Sequence, residues 1–130
     1  MNDGAVALRL PADAGWLSIA RLFVGSSCML LELDAESVED VKLVVTELCS
    51  AALESATETK ATLTVEVRWR LGGATVAVRG TGLTFAAVAE GDARAQMLEA
   101  LVPDLRLLED GRVVEFPLEG ARRIQRVPKD

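Results

Sequence analysis

Few side chains in this chain of 130 residues have types and spacing that suit chemistry. The stretch Thr46-Glu47-Leu48-Cys49-Ser50-Ala51-Ala52 puts a carboxylate, two hydroxyls and a thiol on a strongly amphipathic helical pattern. By itself, a carboxylate such as Glu47 on a mostly apolar helix reads as a solvated charge. A second stretch, Arg79-Gly80-Thr81-Gly82, follows an alternating segment and opens a loop. Backbone amides bared by glycines can cradle phosphate, but an isolated Gly-x-Gly is more often a plain turn. What is missing narrows the chemistry further. The chain has no histidine, which removes His-based acid–base catalysis, Ser-His-Asp triads and most zinc sites.

Cys28 and Cys49 both fall inside apolar helical patterns and read as buried free thiols, with a Cys28–Cys49 disulfide as the alternative. The formal net charge is -6. The last eleven residues carry Arg122, Arg123, Arg126 and Lys129 against Asp130, which leaves residues 1–119 at -9. An acidic body lacks the cations that would replace phosphate counterions, so nucleic acid is not an expected partner. Residues 121–130 are expected to be a basic C-terminal tail, either a solvated terminus or an arm to an acidic partner. No run of eighteen apolar residues occurs and Met1-Asn2-Asp3-Gly4 lacks a signal pattern. The expectation is a cytoplasmic protein with no membrane span.

The elements that position these residues follow from periodicity. Ala5–Leu10 reads as a strand ended by Pro11. Asp13 caps a helix from about Ala14, in which Trp16, Ile19, Ala20, Phe23 and Val24 recur at helical spacing. It continues through Cys28 and Leu31, weakened by Gly25-Ser26-Ser27. On this helix Arg21, between Ala20 and Leu22, reads as a snorkelling surface residue. Asp34 caps a second helix, with Glu36 in its first turn and an apolar stripe of Val38, Val41, Val45, Leu48 and Ala52. It runs out at Ser55–Lys60.

Leu63, Val65, Val67, Trp69 and Leu71 then alternate with Thr62, Thr64, Glu66, Arg68 and Arg70. This predicts a strand with one dry and one wet face. Gly72-Gly73 reads as a two-residue hairpin turn, with Val76 and Val78 on the partner strand. A loop spans Gly80 to about Gly91, a short helix spans Asp92–Val102, and Pro103 stops it. Leu105–Leu108, Asp110-Gly111 and Val113–Leu118 read as a closing hairpin. Trp16 and Trp69 are expected in the core. Strands with one dry face need helices on that face alone. The order β-α-α-β-β-α-β-β therefore implies an α/β two-layer sandwich, with a mixed, mostly antiparallel sheet. Residues 1–120 form one expected domain, the size of a single core.

That order, with Glu47 and the Gly80 loop about thirty residues apart, resembles the GHKL ATPase superfamily and its Bergerat-like fold. The closest similarity is to the small anti-sigma-factor serine kinases, over roughly Ala5 to Leu118. There the helix glutamate, matched by Glu47, orients or deprotonates the attacking hydroxyl. The resemblance places a magnesium-binding asparagine where this chain has Ala51, and an adenine-binding aspartate where it has Gly80. Gly82 matches a family glycine. The glycine-rich lid corresponds to Glu90-Gly91-Asp92-Ala93-Arg94-Ala95-Gln96, with one glycine and an aspartate that would repel phosphate. Magnesium needs oxygen ligands, and alanine supplies none. Glu47, Ala51, Gly80 and Gly82 are thus relic positions, and Leu83 and Phe85 are expected to fill the old pocket.

Arg21 matches an arginine of the kinases' partner-binding surface. The resemblance implies a regulatory protein-binding module that no longer uses ATP. Its expected partner is a sigma factor or an anti-anti-sigma protein, and it is expected to be a homodimer. The alternatives are an active serine/threonine kinase using ATP and magnesium through a divergent site, and a subunit of a larger assembly.

Overall fold

In the computed structural model, residues 2–89 and 91–120 are described; the basic tail at 121–130 lies outside them. The chain opens with strand β1 (Gly4–Pro11). Asp13 then accepts a hydrogen bond from the Gly15 N–H at 2.8 Å. That cap starts a short 3-10 turn, Ala14–Trp16, which leads into helix α1 (Leu17–Leu30). Gly25 and the two serines do not break α1. Ser27 donates to the Phe23 carbonyl at 2.8 Å. A β-carbon at Gly25 would lie 3.1 Å from Lys42 Cδ, so the small residue admits the aliphatic stem of that lysine.

Helix α2 (Ala35–Glu54) begins at Asp34, whose carboxylate accepts from the Ser37 N–H at 2.8 Å. Its buried stripe is wider than the spacing predicted: Val44, Cys49 and Ala51 join Val38, Val41, Val45, Leu48 and Ala52. Each fully buried valine or leucine contributes about 1.5–3 kcal/mol relative to exposure. These side chains hold α2 against the sheet.

The sheet has five strands: β1, β2 (Thr62–Arg70), β3 (Gly73–Thr81), β4 (Arg106–Leu108) and β5 (Val113–Leu118). Their spatial order is β1-β2-β3-β5-β4, and every described pairing is antiparallel. Helix α3 (Ala93–Leu101) sits between β3 and β4 in sequence. Leu63, Val65, Val67, Val76, Val78, Val114 and Phe116 form the dry face, packed in one core with Val24 and Cys28 of α1 and the α2 stripe. The other face is wet, with surface pairs Arg68–Glu66 (2.7 Å), Arg79–Glu109 (2.7 Å) and Arg106–Glu115. This is the expected α/β sandwich.

Three local expectations need correction. Arg70 pairs with Gly73, so the β2–β3 turn is Leu71-Gly72, one residue earlier, and Leu71 is exposed. Trp16 is not in the core: it ends the 3-10 turn and is 45% exposed. Trp69 lies at the core's margin and donates its indole N–H to the Asn2 carbonyl at 2.7 Å. No described helix is long and apolar enough to cross a membrane.

Candidate functional site

Glu47 and Glu54 are seven residues apart on α2, two turns along one face. Two carboxylates so placed call for a cation, and α3 supplies it. Arg94 donates from Nε to Glu47 Oε2 at 3.2 Å. Its two terminal nitrogens donate to the Glu54 carboxylate at 2.8 and 3.2 Å. The Arg94 side chain is one-quarter exposed. The hydrogen bond to Glu54 holds this guanidinium above its ordinary range, outweighing desolvation, with the Glu47 bond adding to it. The Glu54 carboxyl is held below its ordinary value of 4.5, mainly by the hydrogen bond from Arg94. Asp92 caps α3 by accepting from the Ala95 N–H at 2.9 Å. That fixes the helix whose first turn carries Arg94.

The other wall is the end of β3 and the loop after it. The expected loop from Gly80 begins two residues later, because Gly80 still pairs with Leu63 in β3, and a 3-10 turn, Ala86–Ala89, interrupts it. Gly80 is buried, and a β-carbon there would lie 2.1 Å from Leu83 Cδ1 and 3.2 Å from the Leu83 carbonyl oxygen. Leu83 occupies the space that a side chain at position 80 would need. Gly82 has φ +76°, and a β-carbon on it would meet Glu58 Oε2 at 2.9 Å. Phe85, fully buried, follows.

The loop is tied down at several points. Gly80 N–H donates to the Arg112 carbonyl at 2.8 Å, and Phe85 N–H to that of Gly111 at 2.7 Å. Thr84 donates its amide to the Ser55 hydroxyl at 3.0 Å. That hydroxyl lies 2.9 Å from the Thr84 carbonyl and 2.7 Å from that of Ala52. Ala51 is completely buried, with only a methyl group to offer.

Glu47 thus meets Arg94, a residue that neither composition nor local pattern singles out. Gly80 lies against Leu83, Gly82 faces Glu58 and Ala61, and Ala51 is buried. Among the described residues no group of three or more His, Cys, Asp or Glu could hold a metal.

Arg21 lies elsewhere, exposed on the outer side of α1. The inner side of that helix buries Ala20, Val24 and Cys28, at intervals of four. The outer side carries Ile19, Leu22, Ser26 and Met29, at intervals of three and four, the spacing of one helix face. Leu22 is 65% exposed, Met29 68% and Ile19 40%.

The chain is similar to an anti-sigma factor. It is 32% identical over 108 residues to the anti-sigma-F factor RsbW of Mycobacterium tuberculosis, in both strain CDC 1551 / Oshkosh and strain ATCC 25618 / H37Rv. The match covers 83% of this chain and 64% of those relatives, so the chain spans somewhat less than two thirds of their length. No family model matches the chain.

Both thiols are buried and unpaired. Burial pushes Cys28 and Cys49 each up to about 12, from an ordinary 9.0. They remain protonated near neutrality and are poor nucleophiles.

Proposed function

We propose that this chain is a regulatory module of the anti-sigma type. It acts by holding a protein partner, a sigma factor or an anti-anti-sigma protein, without using ATP. The observation that carries this reading is the packing between α2, the end of β3 and the loop that follows it. Leu83 fills the place where an adenine acceptor would project, and Arg94 engages the carboxylate that would act as base. A general base must be free to reach the proton it takes, and Glu47 is tied to an arginine. The similarity to an anti-sigma-F factor supplies the partner class, and the α1 face supplies a surface for it. Arg21, Leu22 and Met29 would make the contact. Exposed apolar side chains flanked by an arginine have the composition of interface hot regions. A homodimer would suit the same reading.

Titration calorimetry with ATP and magnesium tests it, followed by affinity capture from the source cell with the full chain as bait. The expected result is no heat of nucleotide binding and capture of a sigma factor or its regulator. A dissociation constant of about 10 μM or tighter, roughly -7 kcal/mol, would overturn the nucleotide-independent reading and favour the kinase alternative.

A further inference from the structure

A groove opens beside the half of α2 farther from Glu54. Ser37, Val41 and Val44 recur at intervals of four and three, so they share one face of that helix. That face, the end of α3 and the end of β5 bound a volume of about 130 Å³. Its floor is apolar: Val41, Val44 and Phe116 are buried beneath it, and Leu101 is half-buried beside them.

The rim carries charge of one sign. Asp40, Asp104 and Glu119 line the groove and are exposed, and no lysine or arginine among the described residues lines it. None of the three carboxylates makes an ion pair with a described residue. The end of α3 adds to this potential. The helix stops at Leu101, ahead of Pro103, which has no N–H to extend the ladder. Carbonyls of a last turn carry partial negative charge, and the last turn here holds no basic residue. The positive end of α2, on the facing wall, is already offset by Asp34 and Glu36.

We propose that this groove docks a protein partner through a short segment in which one aliphatic side chain is flanked by lysines or arginines. The volume holds a single such side chain. Seating it removes apolar surface of both partners from water. The flanking cations then meet carboxylates that have no cation of their own among the described residues, which sets the register of the segment. A second copy of the chain is the poorer occupant. A symmetric contact centred on the groove would set three carboxylates against three. The proposal is independent of the α1 surface and of nucleotide use.

The probe is the acetylated peptide Gly-Arg-Lys-Leu-Lys-Arg-Gly, titrated into the isotope-labelled full chain and followed by amide shifts in NMR. The expected result is saturable shifts at Val41, Val44, Leu101 and Phe116, with a dissociation constant of about 1 mM or tighter. Signals of Leu22 and Met29 on α1 should stay in place. Serine in place of the peptide leucine should weaken binding about threefold or more, through the lost apolar contact. Asp40→Asn/Asp104→Asn/Glu119→Gln should weaken it about fivefold or more. The melting temperature should not change, because all three side chains are exposed. Salt at about 0.5 M should act in the same direction as the rim substitutions.

Shifts that fail to saturate, or that spread equally over Glu36, Glu39 and Glu99 outside the groove, would overturn the proposal, since they report general attraction to an acidic chain. Equal affinity for the leucine and serine peptides would overturn it by removing the apolar floor from the contact. Equal affinity of the parent and the rim variant would do so by removing the charge. Groove signals that move on dilution of the protein alone would assign the groove to a second copy instead.

Discussion

The cleft beside α2 and the outer side of α1 treat their side chains in opposite ways. In the cleft, Leu83 and Phe85 are buried, Arg94 is shared by two carboxylates, and the loop is hydrogen-bonded to Ser55, Gly111 and Arg112. On α1, Leu22 and Met29 stay about two-thirds exposed beside Arg21. The difference shows where unused binding free energy resides. A ligand entering the cleft would have to displace packed leucine and break charge-assisted bonds before gaining anything. A surface that covers α1 gains about 25 cal/mol for each square ångström of apolar area removed from water. In physical terms the cleft is spent and the helix face is not.

The strongest way to break that contrast is Gly80→Asp. It introduces the carboxylate that an adenine site would need, into space held by Leu83. Overpacking and an unpaired buried carboxylate together should destabilise the protein by about 3 kcal/mol or more. Gly80→Asp/Leu83→Ala removes the nearest side-chain clash and should recover part of the loss. Urea unfolding of the three proteins measures this. A Gly80→Asp variant as stable as the parent would mean that Leu83 swings aside, and that the cleft opens more readily than its packing indicates.

Charge reversal on α1 examines the other half. Arg21→Glu and Leu22→Glu replace exposed side chains, so stability should change by about 0.5 kcal/mol or less. Affinity for the captured partner should fall by about 2 kcal/mol, roughly thirtyfold, because a charge is forced into the contact. Thermal melts with one affinity measurement per variant separate the two effects. Undiminished affinity in both would move the partner surface off α1.

Why one region was easier to read than the other follows from the distance over which its pattern acts. The strand at 62–70 shows its buried face through alternation alone, and both Asp13 and Asp34 cap where their types and neighbours indicate. The Leu71-Gly72 turn is displaced by one residue because two adjacent glycines permit either position. Pairing of Arg70 with Gly73 decides it. Trp16 is misplaced by helical periodicity because the first turn is 3-10, which changes the angular step before α1 begins. Leu83 lies three residues from Gly80, which it covers, so that contact is local in sequence. Arg94 pairs with a residue 47 positions away. Local pattern holds no trace of that contact, although the seven-residue spacing of Glu47 and Glu54 marks where a cation belongs.

The two cysteines report whether both regions share one dry interior. Cys28 lies on the inner side of α1 and Cys49 on the buried face of α2. Their folded values are raised to about 12, against 9.0 when exposed. Below pH 9 both states hold the protons and the thiols add no pH dependence. Between about 9 and 12 only the unfolded chain loses them, so stability falls as pH rises. The slope is about 1.4 kcal/mol per pH unit for each thiol. Urea melts between pH 8 and 10.5, repeated on Cys28→Ala and Cys49→Ala, should show the slope lessen with each replacement. A slope lost with one cysteine alone would show that only one of the two regions is sealed from water.

The smallest effect belongs to the Arg94 latch. Its pairs are partly exposed, so Arg94→Gln should lower the melting temperature at pH 7 only slightly. The sharper signature is in acid. Arg94 lowers the Glu54 value in the folded state below the ordinary 4.5. The ion pair therefore contributes above pH 4.5, and its contribution disappears as pH falls through the folded value. In the parent, stability should decline across that window by more than in Arg94→Gln, where Glu54 returns toward its ordinary value. Glu54→Gln should flatten the same window. Melts from pH 6 to pH 3 on the three proteins decide the matter. If Arg94→Gln leaves the acid slope unchanged, the latch is not formed in solution. Glu47 would then be free to face the cleft, and the contrast between a closed cleft and an open helix face would lose its charged half.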